Sequence, residues 1–214
     1  MSVDASTLRV VPANTAPVVD VITVFGTRGD PSTCWCQWYK IRGTEWSDAD
    51  PEHLKALLIE QLQAPGAGPG LLAYDGDTPV GWCGVEPRSN LPRAEHSTMI
   101  AGGTEHPNFT DTGVWAITCF VIPRQFRRRG VAGALAAAAV EHARVHGASV
   151  IEAYAVDPTI GEKQPAADLF PGTVSMFAGA GFTEVARPKP HRVIMQVRPQ
   201  TEGTRRNAYH RMLS

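Results

Sequence analysis

The spacing of apolar residues changes period several times along the chain, and each change marks an expected element. Residues 7–11 (TLRVV) alternate as a short strand and stop at Pro12. A weaker helical spacing follows through Val18, Val19, Ile22 and Val24 and ends at Gly26. An aromatic knot comes next, with Trp35, Trp38, Tyr39 and Trp46 close together. A well-formed helix is then expected: Asp48 or Asp50 can cap it, Pro51 suits its first turn, and Leu54, Leu57, Leu58 and Leu62 keep the apolar spacing. The linker PGAGPG breaks it.

Beyond the linker, GLLAYDGDTPVGWCGVEPR has the pattern of a hairpin around Asp75-Gly76-Asp77. A polar loop over 89–112 leads to VWAITCFVI, apolar on both faces, as in a strand covered on both sides of its sheet. Residues 130–146 form an alanine-rich helix able to approach a sheet closely, and SVIEAYAV another strand. A loop over 157–171, a short helix (VSMFAGAG), two strands (FTEVA and RVIMQV) and a polar tail complete the pattern. This alternation of strands and helices predicts one α/β domain over 1–214.

Composition excludes some functions. The 214 residues carry 20 Lys+Arg against 21 Asp+Glu, a net charge of -1, whereas a protein held to nucleic acid by phosphate contacts carries a basic surplus. No nucleic-acid partner is expected. The apolar stretch 131–140 is too short to span a bilayer, so no membrane is expected either. The start MSVDASTLRV contains an acid and lacks an apolar signal core, and four cysteines are too few for a disulfide framework; a reduced cytoplasmic location is the simpler expectation. Cys34-Trp35-Cys36 has no second Cys or His pair at ligand spacing, and the seven histidines are scattered, so no metal is expected. Core packing is the expected role of these cysteines and of Cys119.

One local concentration of charge remains. In FRRRGVAG, Arg127, Arg128 and Arg129 run into Gly130 where a strand and a tight turn meet a helix. The first turn of a helix has unpaired N–H groups and partial positive charge. Small residues at Gly130, Ala132 and Gly133 let a phosphate reach those groups, and arginines add charge-assisted hydrogen bonds.

The segment Arg127-Arg128-Arg129-Gly130-Val131-Ala132, after its strand and before its helix, resembles the Arg/Gln-x-x-Gly-x-Gly/Ala pattern of the GCN5-related N-acetyltransferase superfamily. Downstream, SMFAGAGF resembles that family's leucine-tyrosine-x-x-x-glycine-phenylalanine segment, with Met176, Phe177, Gly181 and Phe182 in those places. The resemblance implies a mixed central sheet splayed at the cofactor strand, with helices on both faces. It also implies acetyl-CoA as cosubstrate. Its pantetheine arm would lie along the edge at Phe120, Val121 and Ile122, and its pyrophosphate in a cradle from Arg127 through Arg128, Arg129, Gly130, Val131, Ala132 and Gly133 to Ala134. Arg124 would meet the 3'-phosphate. Residues 111–198 would be the acetyl-CoA core, 1–110 would supply acceptor-site elements, and 199–214 would be a tail. Related enzymes often pair through their C-terminal strands, so a homodimer through RVIMQV is an expectation.

The resemblance also has gaps. Phe177 stands where many members place a tyrosine that protonates the leaving thiolate, and residues 115–118 lack the glutamate many members carry there. An amine must nevertheless lose a proton to attack a thioester. Glu152 and Tyr154 share one face of SVIEAYAV and are candidate catalytic groups; alternatively Glu152 pairs with a lysine or arginine and Tyr154 is core. Glu86, at the end of VGWCGVEPR, is the third candidate; alternatively it is a solvated carboxylate beside Arg88. The aromatic knot is either a core layer or an acceptor wall. The implied activity is direct transfer of an acetyl group to a small-molecule amine. The alternative is a catalytically silent acyl-CoA-binding sensor or regulatory module.

Overall fold

The segment apolar on both faces becomes the central strand of a seven-stranded sheet. The structure, a computed structural model, describes residues 8–26, 28–160 and 166–200. Thr7, residues 161–165 of the long loop and the tail from 201 onward lie outside the described residues. Strands β1 (Arg9–Pro12), β2 (Gly70–Asp75), β3 (Thr78–Pro87), β4 (Val114–Val121), β5 (Val150–Val156), β6 (Thr183–Lys189) and β7 (Arg192–Val197) take the order β1-β2-β3-β4-β5-β7-β6. Neighbours are antiparallel except for the parallel pair β4–β5.

Two layers of helix cover the sheet. On one face lie α7 (Val131–Val145) and α8 (Val174–Gly179). Ala136, Ala139 and Ala143 of α7 are fully buried there, their small side chains allowing the close approach expected of them. The other face carries α1 (Val18–Phe25), α2 (Asp30–Cys34), α3 (Gly43–Ser47), α4 (Pro51–Gln63), α5 (Pro92–Glu95) and α6 (Thr98–Ala101). Asp50 caps α4 by accepting from the His53 N–H at 2.8 Å, with Pro51 in the first turn. The stretch 89–112, expected as a loop, holds the two short helices α5 and α6, whose Ala94 and Ile100 pack on Ala116, Tyr154 and Ile194. Single turns are too short to show a period in sequence.

The sheet opens at its centre. Gly84 of β3 faces Cys119 of β4 while Val85 faces Ile117, leaving Thr118 as the extra residue of a β-bulge. A bulge bends its strand and increases its twist. Pairing between β4 and β5 accordingly runs only from Val114–Val150 to Ile117–Ala153. Past that point β5 continues with β7 as far as Val156–Arg192. Residues 170–173 fill the gap: the Phe120 N–H donates to the Phe170 carbonyl at 2.7 Å, and the Val156 N–H donates to the Gly172 carbonyl at 2.9 Å.

RVIMQV lies between β5 and β6, with both of its edges paired. The dimer expected through this strand therefore finds no free edge there. Its apolar residues Val193, Ile194 and Met195 belong to the core.

Candidate active site

The arginine-glycine turn opens α7 without any side-chain cap. Gly130 is its N-cap residue at φ 77°, in the left-handed region that costs an L-residue roughly 1–2 kcal/mol. The first backbone bond of the helix runs from Ala134 N–H to the Gly130 carbonyl at 3.0 Å, so the N–H groups of Val131, Ala132 and Gly133 precede the helical ladder. Arg128 also adopts a left-handed backbone, at φ 61°. Such strain in a residue other than glycine persists where the surroundings impose it, and ligand clamps are common places for it.

These groups face a cavity of about 390 Å³. Phe120, Ile122, Arg127, Arg128, Gly130, Val131, Ala132 and Gly133, all expected at the cofactor site, line it. The opposite wall comes from Leu169, Phe170, Gly172, Thr173 and Met176, which the sequence reading did not assign. Gly172 sits at φ 89°, and a Cβ there would come within 2.7 Å of the Phe177 ring, so the wall packs tightly onto the core. Val121, Arg129 and Ala134 are not among the lining residues. Val121 instead pairs with Trp82 and turns into the core beneath the N-terminal helices.

The residues present fit an acyl-CoA. Uncapped helical N–H groups and two arginines offer an anion site, and Phe120, Ile122, Val131 and Met176 offer apolar walls for an extended arm. Two backbone groups of the expected pantetheine edge have internal partners: Phe120 N–H on Phe170, and the Ile122 carbonyl accepting from Arg127 Nε at 2.9 Å.

The three catalytic candidates divide into two environments. Glu86, Ala116 and Glu152 lie in one register across β3, β4 and β5. Glu152 is fully buried and paired with Arg88, at 2.9 Å. It also accepts from the Thr104 hydroxyl, and from the Tyr154 hydroxyl at 3.2 Å. Arg88 donates further to the carbonyls of His106 and Asn108 and stacks on Phe109. The methyl of Ala116, lying between the two strands in register, leaves room for this crossing. Burial, followed by the neighbouring Glu152 carboxylate, pushes the Tyr154 phenol well above its ordinary value. The network thus ties the 104–109 loop to β5.

Removing one partner of a buried ion pair strands the other charge. Arg88→Met is expected to destabilise the fold by about 3–5 kcal/mol. Urea unfolding reads this, and adding Glu152→Gln should return much of the loss because the stranded charge is gone. Tyr154→Phe removes only one hydrogen bond in the network. It is expected to cost about 1 kcal/mol in the same measurement and to leave acetyl-transfer rates near normal.

Glu86 occupies the other environment. It is only 6% exposed and its partner is Lys40, at 2.7 Å, rather than Arg88. Burial raises its pKa above the ordinary carboxylate value, with Lys40 and Asn90 opposing the rise. It shares with Gly84 the face on which Thr118 Oγ1 would lie 3.2 Å from a Cβ added at Gly84. Glu86 therefore sits beside the β4 bulge, on the face of the N-terminal helices. The aromatic knot divides as well. Trp35 stacks on Phe25 in the core, Tyr39 tilts against Tyr154, and Trp38, 45% exposed, meets Trp46 edge-on beneath Arg93. Phe177 is fully buried between Phe120 and Phe182.

The acetyltransferase (GNAT) family matches residues 35–163, which contain the bulged strand, the Gly130 turn and β5. The chain belongs to this family. Among solved structures, the GNAT domain of S. lividans PAT is 17% identical, with 89% of each chain covered and a TM-score of 0.51. PaiA N-acetyltransferase from Thermoplasma acidophilum, solved in complex with coenzyme A, is 11% identical over 89% of this chain and 98% of that one, with a TM-score of 0.51. The yncA protein of Salmonella typhimurium, solved with its cofactor acetyl-CoA, is 13% identical over 92% and 96%, with a TM-score of 0.50. At these identities the likeness shows the GNAT fold. No curated protein matches the sequence. Among the described residues of this GNAT acetyltransferase, no helix is long and apolar enough to cross a membrane.

Proposed function

We propose that this chain transfers the acetyl group of acetyl-CoA to the amine of a small molecule by direct attack, with Glu86 as the general base. Acetyl-CoA supplies an acetyl group activated as a thioester. The first-turn N–H groups of α7, with Arg127 and Arg128, hold the pyrophosphate. Phe120 of β4 and Ile122 just beyond it hold the pantetheine arm, whose amides replace the internal partners of those two residues. Glu86 takes the proton of the attacking amine, directly or through one water.

The observation that carries this reading is the desolvated Glu86 carboxylate beside the β4 bulge, held by Lys40. Glu152 is less suited to the role, since its oxygens already accept from Arg88, Thr104 and Tyr154. A compact acceptor is favoured because Glu86 is buried and paired with Lys40 of the 35–41 segment rather than set on an open groove. The test is thiol release from acetyl-CoA against a panel of small amines, with acetylated products identified by mass spectrometry. Release dependent on the amine is expected. Coenzyme A binding without thiol release for any amine would overturn the proposal in favour of a silent acyl-CoA sensor.

A further inference from the structure

Two of the chain's cysteines, distant in sequence, come together on the face of the sheet covered by the N-terminal helices. Gly84 and Cys119 are cross-strand partners at the β4 bulge. Because Gly84 has no side chain, the space above it is taken by Cys36, whose Sγ would lie 2.9 Å from a Cβ added there. Cys119, the cross-strand partner of Gly84, packs on the same core cluster as Cys36. The indole N–H of Trp82 also donates to Cys36 Sγ, at 3.4 Å. Cys36 is held in place by an unusual backbone: Trp35 and Cys36 are successive left-handed residues, at φ 43° and 59°. Both are free cysteines in half-buried residues.

We propose that Cys36 and Cys119 form a thiol-modification site that takes a hydroperoxide, with Cys36 as the attacking sulfur and Cys119 as the resolving one. The thiolate is the nucleophile in such chemistry, and the surroundings of Cys36 favour it. The neighbouring Cys119 thiol, the charge of Lys40 and the Trp82 N–H lower its pKa, outweighing burial and the Glu86 carboxylate. The other thiols are unsuited to attack: burial raises Cys34 to about 11 and Cys83 well above its ordinary value.

In the first step an S–O bond forms at Cys36 as the peroxide O–O bond breaks and the leaving oxygen departs with a proton as alcohol or water. Cys36 is oxidised to the sulfenic acid and the peroxide is reduced. In the second step Cys119 sulfur attacks Cys36 sulfur; the S–S bond forms, the S–O bond breaks, and the hydroxyl leaves as water with the Cys119 proton. Two thiols and one hydroperoxide become a disulfide, an alcohol and water. The cross-link ties the segment carrying Tyr39 and Lys40 to the bulge of β4, so oxidation should also change the surroundings of Glu86.

The experiment treats the reduced full-length protein with stoichiometric hydrogen peroxide and reads thiols and peptides rather than turnover, so its outcome is separate from that of the acetyl-transfer assay. The expected result is a loss of two of the four thiols, one linked peptide pair containing Cys36 and Cys119, and full reversal by dithiothreitol. In Cys119→Ser, Cys36 should instead accumulate as a sulfenic acid captured by a 1,3-dione probe. In Cys36→Ala, Cys119 should remain a thiol under the same treatment. A cross-link involving Cys34 or Cys83, an unchanged thiol count, or oxidation of Cys119 in Cys36→Ala would overturn the proposal.

Discussion

Gly130→Glu is expected to weaken coenzyme A binding by at least about 100-fold, a loss of roughly 3 kcal/mol, while the domain stays folded. Two effects combine. Gly130 holds φ 77° as the N-cap of α7, so any side chain there adds strain of roughly 1–2 kcal/mol. Glutamate also brings a negative charge to the end of a helix whose first-turn N–H groups suit an anion, where it competes with the phosphates. Gly130→Ala separates the two because it carries the strain without the charge. Titration calorimetry should show a much smaller loss for alanine than for glutamate, with both variants melting within a few degrees of wild type. Unchanged affinity in Gly130→Glu would remove the cofactor assignment, and equal losses in both variants would make backbone geometry the whole effect.

Glu86→Gln should lower kcat/KM by about 10²- to 10⁴-fold, the range for losing one acid–base group, and leave coenzyme A affinity unchanged. Glutamine preserves shape and can still accept from Lys40, so the substitution tests the charge rather than the packing. The pH profile provides a second readout. A general base acts as the carboxylate, so the rate should fall as pH drops through the raised pKa of Glu86. That acidic limb should disappear in Glu86→Gln. Lys40→Met should move it to higher pH, because Lys40 is what opposes the rise caused by burial. A wild-type acidic limb surviving unchanged in Glu86→Gln would assign the base to another group.

Several features were determined by the sequence itself because they depend on neighbours in the chain. The α4 helix follows from its apolar spacing and from Asp50 and Pro51, and the structure shows both residues in those roles. The turn at Gly130 was equally legible. A left-handed glycine before an alanine-rich helix sets where the first-turn N–H groups point, and no distant residue is needed to produce that arrangement.

Tertiary structure alone decided the partners of the charges. Glu86 and Arg88 are two residues apart, and the sequence invited a pair between them. The fold instead gives Glu86 to Lys40 and Arg88 to Glu152. Such choices depend on which groups are desolvated together once the strands align, and register across β3, β4 and β5 is a long-range property. The opening of the sheet has the same origin: the extra residue at Thr118 is visible only against the partner strand, and the 170–173 segment that fills the gap comes from beyond β5. The approach of Cys36 to the β-bulge that carries Cys119 depends on Gly84 leaving space for it. A missing side chain on one strand placed against a strained turn from another segment has no local signature, so only the folded chain could bring those sulfurs together.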